Sequence, residues 1–414
     1  MRIVPAILIF LLLPIIASSQ RIIKGRVVNA ATGTAVPGSS VFISSTSSGT
    51  VSNNAGTFEL TDVPAGKHEL VISCIGYETN VYSFSDEQLP LQLKVELKIK
   101  VKELQNVIVE PSLEEGWDKW GRTFMNEFVG KSENANQCRV KNEKAIRFRY
   151  YRKSNRLIAY CDEPVLLENK ALGYLISYQL EEFEVNFNEK TVFYLGYPLF
   201  EPLDKNGKGR QQKWEDKRQE AHNGSIMHFM QSLYANRLLE EGFEVRSLVR
   251  TPNYEKQRVK SLYRTSSAIQ KNASGNGVTF EVKKETIGNA GDSMSYYQSV
   301  MRQNDYLEKY GMSFLTTDSL IIDSSGAFKE LNFENYLFIT YRNEKEEDEY
   351  LLTQYPQRKA GFQQSIVTLI KDEIILLEKN GNYYDPRNFF TSYYWGWSEK
   401  MANSLPLDYE VGKK

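Results

Sequence analysis

Apolar and polar residues alternate most cleanly between Leu91 and Val101. Leu91, Leu93, Val95, Leu97, Ile99 and Val101 take one face, and Gln92, Lys94, Glu96, Lys98 and Lys100 the other. A period of two is the mark of a half-buried strand. The same period runs upstream. "RIIKGRVVNA" and "SVFISS" read as strands, and "TFEL" follows "GTVS" across Asn53-Asn54-Ala55-Gly56, a hairpin signal. In "KHELVISCIGY", Leu70, Ile72 and Cys74 share the inward face, with Glu69, Val71 and Ser73 on the other. Short strands with turns about every ten residues predict a β-sandwich over 21–110.

Beyond Pro111 the period changes. Trp117, Trp120, Phe124 and Phe128 recur at i, i+3, i+7 and i+11, one face of an amphipathic helix. Strands then resume. "AIRFRYY" and "RLIAYC" flank a turn at Lys153-Ser154-Asn155, and a longer pair meets at Asn188-Glu189-Lys190. In its first arm, Tyr174, Ile176, Tyr178 and Leu180 keep one parity, while Phe183, Val185 and Phe187 keep the other. A regular strand would split these between two faces, so a β-bulge is expected at Glu181-Glu182. Residues 203–222 read as a charged loop or exposed helical excursion, and about Ser225 to Glu241 as a helix. Residues 268–295 read as loops around the strand "VTFEVKK". "IIDSSGAF" and "LLEKNGNY" suggest two similar hairpins, and "WGWSEKMANSL" a closing helix. The fold class expected is therefore mainly β: a sandwich, then a larger antiparallel-β-rich α+β region (111–414) with about three helices.

Composition narrows the setting. One basic residue, Arg2, precedes an apolar run from Ile3 to Ile16, and Ala17 and Ser19 precede Gln20. Residues 1–19 read as a signal peptide, because the run is shorter than a membrane span and contains Pro5 and Pro14. No Cys sits at the cut, which argues against a lipid-anchored lipoprotein. No transmembrane helix is expected in the mature chain. With 51 Lys and Arg against 52 Asp and Glu, nothing points to nucleic acid. Of the three cysteines, Cys74 reads as a small buried hydrophobe, and Cys138 and Cys161 form the one candidate disulfide pair.

Catalytic patterns are missing. Of the three histidines, His68 reads as a surface residue beside a turn, and His222 and His228 lie about 120° apart on a helix, which makes no chelating face. Neither G-x-S-x-G nor a P-loop is present. Acid pairs such as Glu181-Glu182 signify little without a cleft. No cofactor or metal is expected. The feature with most functional appeal is "SYYWGWSEK", where Tyr394, Trp395 and Trp397, beside Tyr393, would form an aromatic ligand platform. Trp117 and Trp120 offer a second. For both, the competing reading is an aromatic face packed on a sheet.

The stretch from Lys24 to Thr79 resembles the carboxypeptidase regulatory-like domain. The resemblance is carried by Gly25-Arg26-Val27, Thr32-Gly33, Pro37-Gly38, Val41, Gly49-Thr50, Asn54, Gly56, Phe58, Pro64-Ala65-Gly66 and Gly76-Tyr77. It implies a transthyretin-like sandwich that does not itself cleave peptides. Such domains accompany catalytic domains or head outer-membrane receptors, and "VKELQNVIVEP" is similar to the segment that often follows them there. The roughly 300 residues downstream are too few for a receptor barrel of about 22 strands, and a carboxypeptidase's zinc ligands are absent. Residues 114–414 look like a region found beside this domain in envelope proteins of the Bacteroidetes type. The expectation is a non-catalytic exported protein of the periplasm or outer membrane, with envelope or outer-membrane proteins as partners. The alternative is an envelope hydrolase acting on glycan or peptide through scattered carboxylates.

Overall fold

The computed structural model describes residues 21–100, 111–203, 208–273, 290–323, 327–354 and 356–412. The expected signal peptide, the segment 101–110 and the strand "VTFEVKK" lie outside them. The chain is mostly β, with antiparallel sheets and intervening helices. It forms two compact units. One holds the described residues up to His222 together with those from Lys400 on; the other is Asn223–Glu399.

The N-terminal part is a two-sheet sandwich. Ile23–Asn29 lies between Thr57–Leu60, antiparallel, and Leu91–Leu97, parallel. The second sheet runs Gly49–Val51, Ser40–Ile43, Lys67–Ser73, Asn80–Ser85, all antiparallel. Aliphatic side chains fill the space between, among them Ile23, Val27, Val41, Ile43, Leu70, Ile72, Val95 and Leu97. Gly25 is a close-approach position. A Cβ there would sit 2.6 Å from the Phe58 ring, which lies across the strand pair. The Asn53–Gly56 turn is tight, with Asn53 Oδ1 accepting from Ala55 N and Thr57 N. The expected hairpin is corrected here, because Gly49–Val51 and Thr57–Leu60 belong to different sheets and the turn carries the chain between them.

His68 is also corrected: it is buried, not superficial. Its Nε2 lies 3.2 Å and 3.1 Å from the carbonyls of Pro64 and Ala65, and its ring packs near Phe84. Burial lowers its pKa.

The outward face of the second sheet is covered as well. Val71 and Phe42 point away from the sandwich core yet are buried against Leu199, with Tyr197 beside them. Backbone bonds hold the contact. Ser45 N donates to Pro198 O at 2.7 Å, Phe200 N to Thr46 O at 3.0 Å, and Leu407 N to Ser45 O at 2.7 Å. Asp408 accepts from the Ser47 amide and hydroxyl.

Leu199 belongs to a seven-stranded antiparallel sheet. Its long strand, Tyr174–Asn186, takes Thr191–Pro202 along one edge. On the other edge it pairs first with Val165–Asn169, then with Arg156–Cys161. The register shifts between Leu180 and Glu182, where the bulge was expected. Its consequence is also as expected: Tyr178 and Phe183, of opposite parity, both meet the Phe128 ring. Phe124, Phe128, Phe148 and Phe183 form the fully buried centre, with Trp117 against Phe124 and Phe148. Helix Trp117–Phe124 and a π-turn Met125–Val129 supply this face. Cys138 and Cys161 are free and not a disulfide. Their strands pair with different partners in the sheet, and each thiol donates to a nearby carbonyl. Burial pushes the Cys138 thiol up to about 12.

In the second unit a five-stranded antiparallel sheet runs Tyr306–Tyr310, Phe243–Pro252, Tyr336–Lys345, Phe362–Leu369, Phe389–Tyr393. Helix Ile226–Tyr234 packs on it through Phe229, Met230 and Leu233. Of the two residues able to cap this helix, Asn223 and Ser225, it is Ser225 that does so, but the helix ends at Tyr234, seven residues short of Glu241, with Asn236 at φ 57. The two similar hairpins, Ile321–Asp323 with Lys329–Leu331 and Ile375–Leu377 with Tyr383–Tyr384, join side by side in a four-stranded sheet. Helices are more numerous than the three expected. Tyr254–Ala273 and Ala290–Arg302 replace loops at the ends of 268–295. The closing helix shortens to Tyr394–Ser398.

Candidate binding cleft

The expected aromatic platform does not form an open surface. Tyr394 and Trp395 are buried, at 4% and 2% exposure. Trp395 Nε1 donates to Gly224 O at 2.7 Å, its backbone N to Ser365 Oγ at 3.0 Å, and its ring meets Phe229. Tyr394 donates its hydroxyl to Glu347, meets the Tyr350 ring edge-on and lies tilted against Trp397, which is half-buried. Tyr393 alone is exposed, near the Arg250 guanidinium. The packing reading therefore holds for this motif. Trp117 and Trp120 are half-buried in the same manner, Trp120 against Tyr150 and Phe187.

A cleft of about 850 Å3 opens instead beside the charged stretch 203–222, a volume in the usual range for small-molecule sites. That stretch is the helix Lys208–His222, rich in Lys, Arg, Gln and Glu, all good helix formers. Trp214 and Arg218, one turn apart, fix it to the Asn169–Gly173 turn. The indole Nε1 of Trp214 donates to Lys170 O at 2.9 Å. Arg218 Nε donates to Leu172 O at 2.8 Å, and its guanidinium lies 4.1 Å from the centre of the Tyr174 ring. Burial raises the Tyr174 hydroxyl to about 12. Gly173 has φ +73, and a Cβ there would come within 2.2 Å of the Trp214 ring. No other residue fits both demands.

With the helix so held, Arg210, Lys213, Lys217 and Glu220 line the cleft at i, i+3, i+7 and i+10. Gln137, Glu168 and Lys170 face them. Burial alone would lower the Lys217 ammonium. Its bonds to Glu133 at 2.8 Å and Glu220 at 2.7 Å outweigh that and raise it. Glu168 sits 3.5 Å from Lys170 and 3.8 Å from Lys141, and Asp216 accepts from Gln212. Among the described residues, Arg210 and Lys213 have no ion-pair partner. The sequence reading passed over this wall. Its signal was the Arg210–Lys213–Lys217 spacing, hidden because the helix has no apolar stripe.

Among the described residues, no group of three or more His, Cys, Asp or Glu is placed to hold a metal. No described helix is long and apolar enough to cross a membrane.

Residues 23–109 match the model of the CarboxypepD_reg-like domain. The chain carries a CarboxypepD_reg-like domain at its N-terminus. The sandwich from Ile23 to Leu97 is the described part of this domain, and the resemblance carried by Gly25, Phe58 and the Pro64-Ala65-Gly66 turn is thereby shown. Among curated proteins none matches the chain. Of solved structures, one is similar from Bacteroides fragilis, assigned as membrane-associated and of unknown function. It shares 10% identity over 88% of this chain and 98% of its own, with a TM-score of 0.14. A 9R-lipoxygenase from Cyanothece shares 8% identity over 52% of this chain and 48% of its own, with a TM-score of 0.15. The chain spans about half of that enzyme, and at these scores neither likeness bears on fold or function.

Proposed function

We propose that this is a non-catalytic, exported cell-envelope protein of the periplasm or outer membrane. Its CarboxypepD_reg-like sandwich acts as an interaction module, and the region beyond residue 110 as a binding or assembly unit for envelope components. The observation that supports this best is the domain match at 23–109, to a module that accompanies other activities and does not cleave peptides itself. The burial of Val71 and Phe42 against Leu199 adds to it, because the module is then built into the unit that holds the cleft. An interaction module joined in this way positions the downstream surface instead of swinging freely from it.

The alternative is a hydrolase working through carboxylates of the cleft. Against it, Glu168, Asp216 and Glu220 are each already engaged by a neighbouring cation or amide, so none is presented alone to a substrate. Affinity purification from envelope fractions, with mass spectrometry, tests the leading reading. Co-purification of envelope proteins is expected. Recovery from the cytosolic fraction only, or turnover of a glycan or peptide by the purified chain, would overturn it.

A further inference from the structure

We propose that the cleft between helix Lys208–His222 and the 165–173 hairpin binds an anionic saccharide, one bearing a carboxylate or phosphate group. The inference rests on reading the region beyond residue 110 as a binding unit, and it adds the ligand class.

Two sets of side chains meet there. Arg210 and Lys213 are exposed on one stripe of the helix, and neither has an ion-pair partner among the described residues. Cations with no ion-pair partner among the described residues take up an acid group without breaking any ion pair among them. A guanidinium also matches a carboxylate or phosphate with two parallel hydrogen bonds. The remaining lining sets hydrogen-bonding groups, the Gln137 amide and the carboxylates of Glu168, Asp216 and Glu220, beside the apolar Ala171, Leu203 and Trp214 ring, the mixture that a sugar's hydroxyls and C–H faces meet. Carboxylates and amides accept from hydroxyl groups, which a saccharide supplies in number and an acyl chain or aromatic ligand does not. The walls are also preorganised. Trp214 is locked against Gly173 and Lys170 O, Arg218 against Leu172 O, and Lys217 between Glu133 and Glu220. A ligand entering this cleft therefore orders few side chains beyond Arg210 and Lys213, which limits the cost of binding. A nucleic acid fits less well, because the three carboxylates would face its phosphates at close range.

The test is calorimetric titration of the full mature chain with tetragalacturonate and, separately, with trehalose 6-phosphate, alongside neutral maltotetraose. The same titrations are run on the R210A/K213A double variant. Both positions are exposed, so the variant should fold as the parent does, and a thermal melt checks this. Binding of either anionic probe, weakened at least tenfold in the variant and by raised salt, is the expected result. The two anionic arms separate carboxylate from phosphate recognition. Three results would overturn the proposal: neither anionic probe binds, the variant binds as well as the parent, or maltotetraose binds equally. Hydrolysis of a bound probe would instead sink the non-catalytic reading and leave this one standing.

Discussion

The sandwich and the seven-stranded sheet are both β structures in one compact unit, yet their cores are built from different materials. The sandwich core is mainly aliphatic, with Phe58 and Phe84 the aromatic members, and is drawn from alternate positions of its strands: Ile23, Val27, Val41, Ile43, Leu70, Ile72. The centre of the larger sheet is aromatic, and its members come from distant places: Phe124 and Phe128 from a helix and π-turn, Phe148 from one strand, Phe183 from beyond a bulge. The first arrangement follows the strand period and could be read directly. The second depends on which rings meet, and that is set by how the long strand bends and changes partner at Leu180–Glu182. Aliphatic cores tolerate exchange of similar volumes, whereas ring clusters depend on edge and face geometry as well.

The largest effect that would sharpen this comparison is truncation at the aromatic centre. Phe124→Ala should lose about 3–5 kcal/mol of stability in urea unfolding, because the ring is fully buried against Phe128, Phe148 and Phe183. A loss below about 1 kcal/mol would mean the ring cluster is not the core of that sheet. Next comes Gly173→Ala, expected to cost roughly 2–3 kcal/mol from left-handed backbone strain plus overpacking against Trp214. It should also weaken any ligand of the cleft by shifting the helix that carries Arg210 and Lys213.

Val71→Ala probes the seam between the two regions. It should cost about 1–2 kcal/mol, and a double-mutant cycle with Leu199→Ala should show coupling of about 0.5 kcal/mol or more. Additive losses would break the claim that the sandwich and the larger sheet share a packed face. A smaller effect belongs to His68. Its pKa is lowered by burial from 6.5, so the unfolded chain binds the proton more readily than the folded one. Stability is then fully present above about pH 6.5 and falls as the pH drops toward the folded value. His68→Gln, which keeps a side-chain donor, should flatten that dependence in thermal melts between pH 7 and 5. The smallest effect concerns the cysteines: reductant should leave the melting temperature unchanged, since Cys138 and Cys161 are free thiols.

Much of the fold was legible where local chemistry and tertiary demand coincide. The strands of the sandwich and the bulge follow from side-chain parity, the turn at Asn155 from a residue that tolerates positive φ, and the Ser225 cap from a hydroxyl that accepts from His228 N. The paired hairpins of the four-stranded sheet were visible for the same reason. The misses share another cause. His68 has the sequence of a surface residue, but two carbonyls fold over it. Tyr394 and Trp395 have the composition of a ligand platform, but a sheet and a helix claim them.

Sequence alone determined the module, its turns, and the parity of its strands, because steric limits on φ and ψ and the burial of alternate side chains act over a few residues. Tertiary structure decided which faces became double-sided and where a cleft could open. Val71 reads as a solvent-facing residue until Leu199 arrives from more than a hundred positions away. Arg210 and Lys213 read as ordinary surface charge until Trp214 pins their helix beside the 165–173 hairpin. Burial and concavity are properties of segments brought together, and no local pattern of apolar and polar residues encodes them.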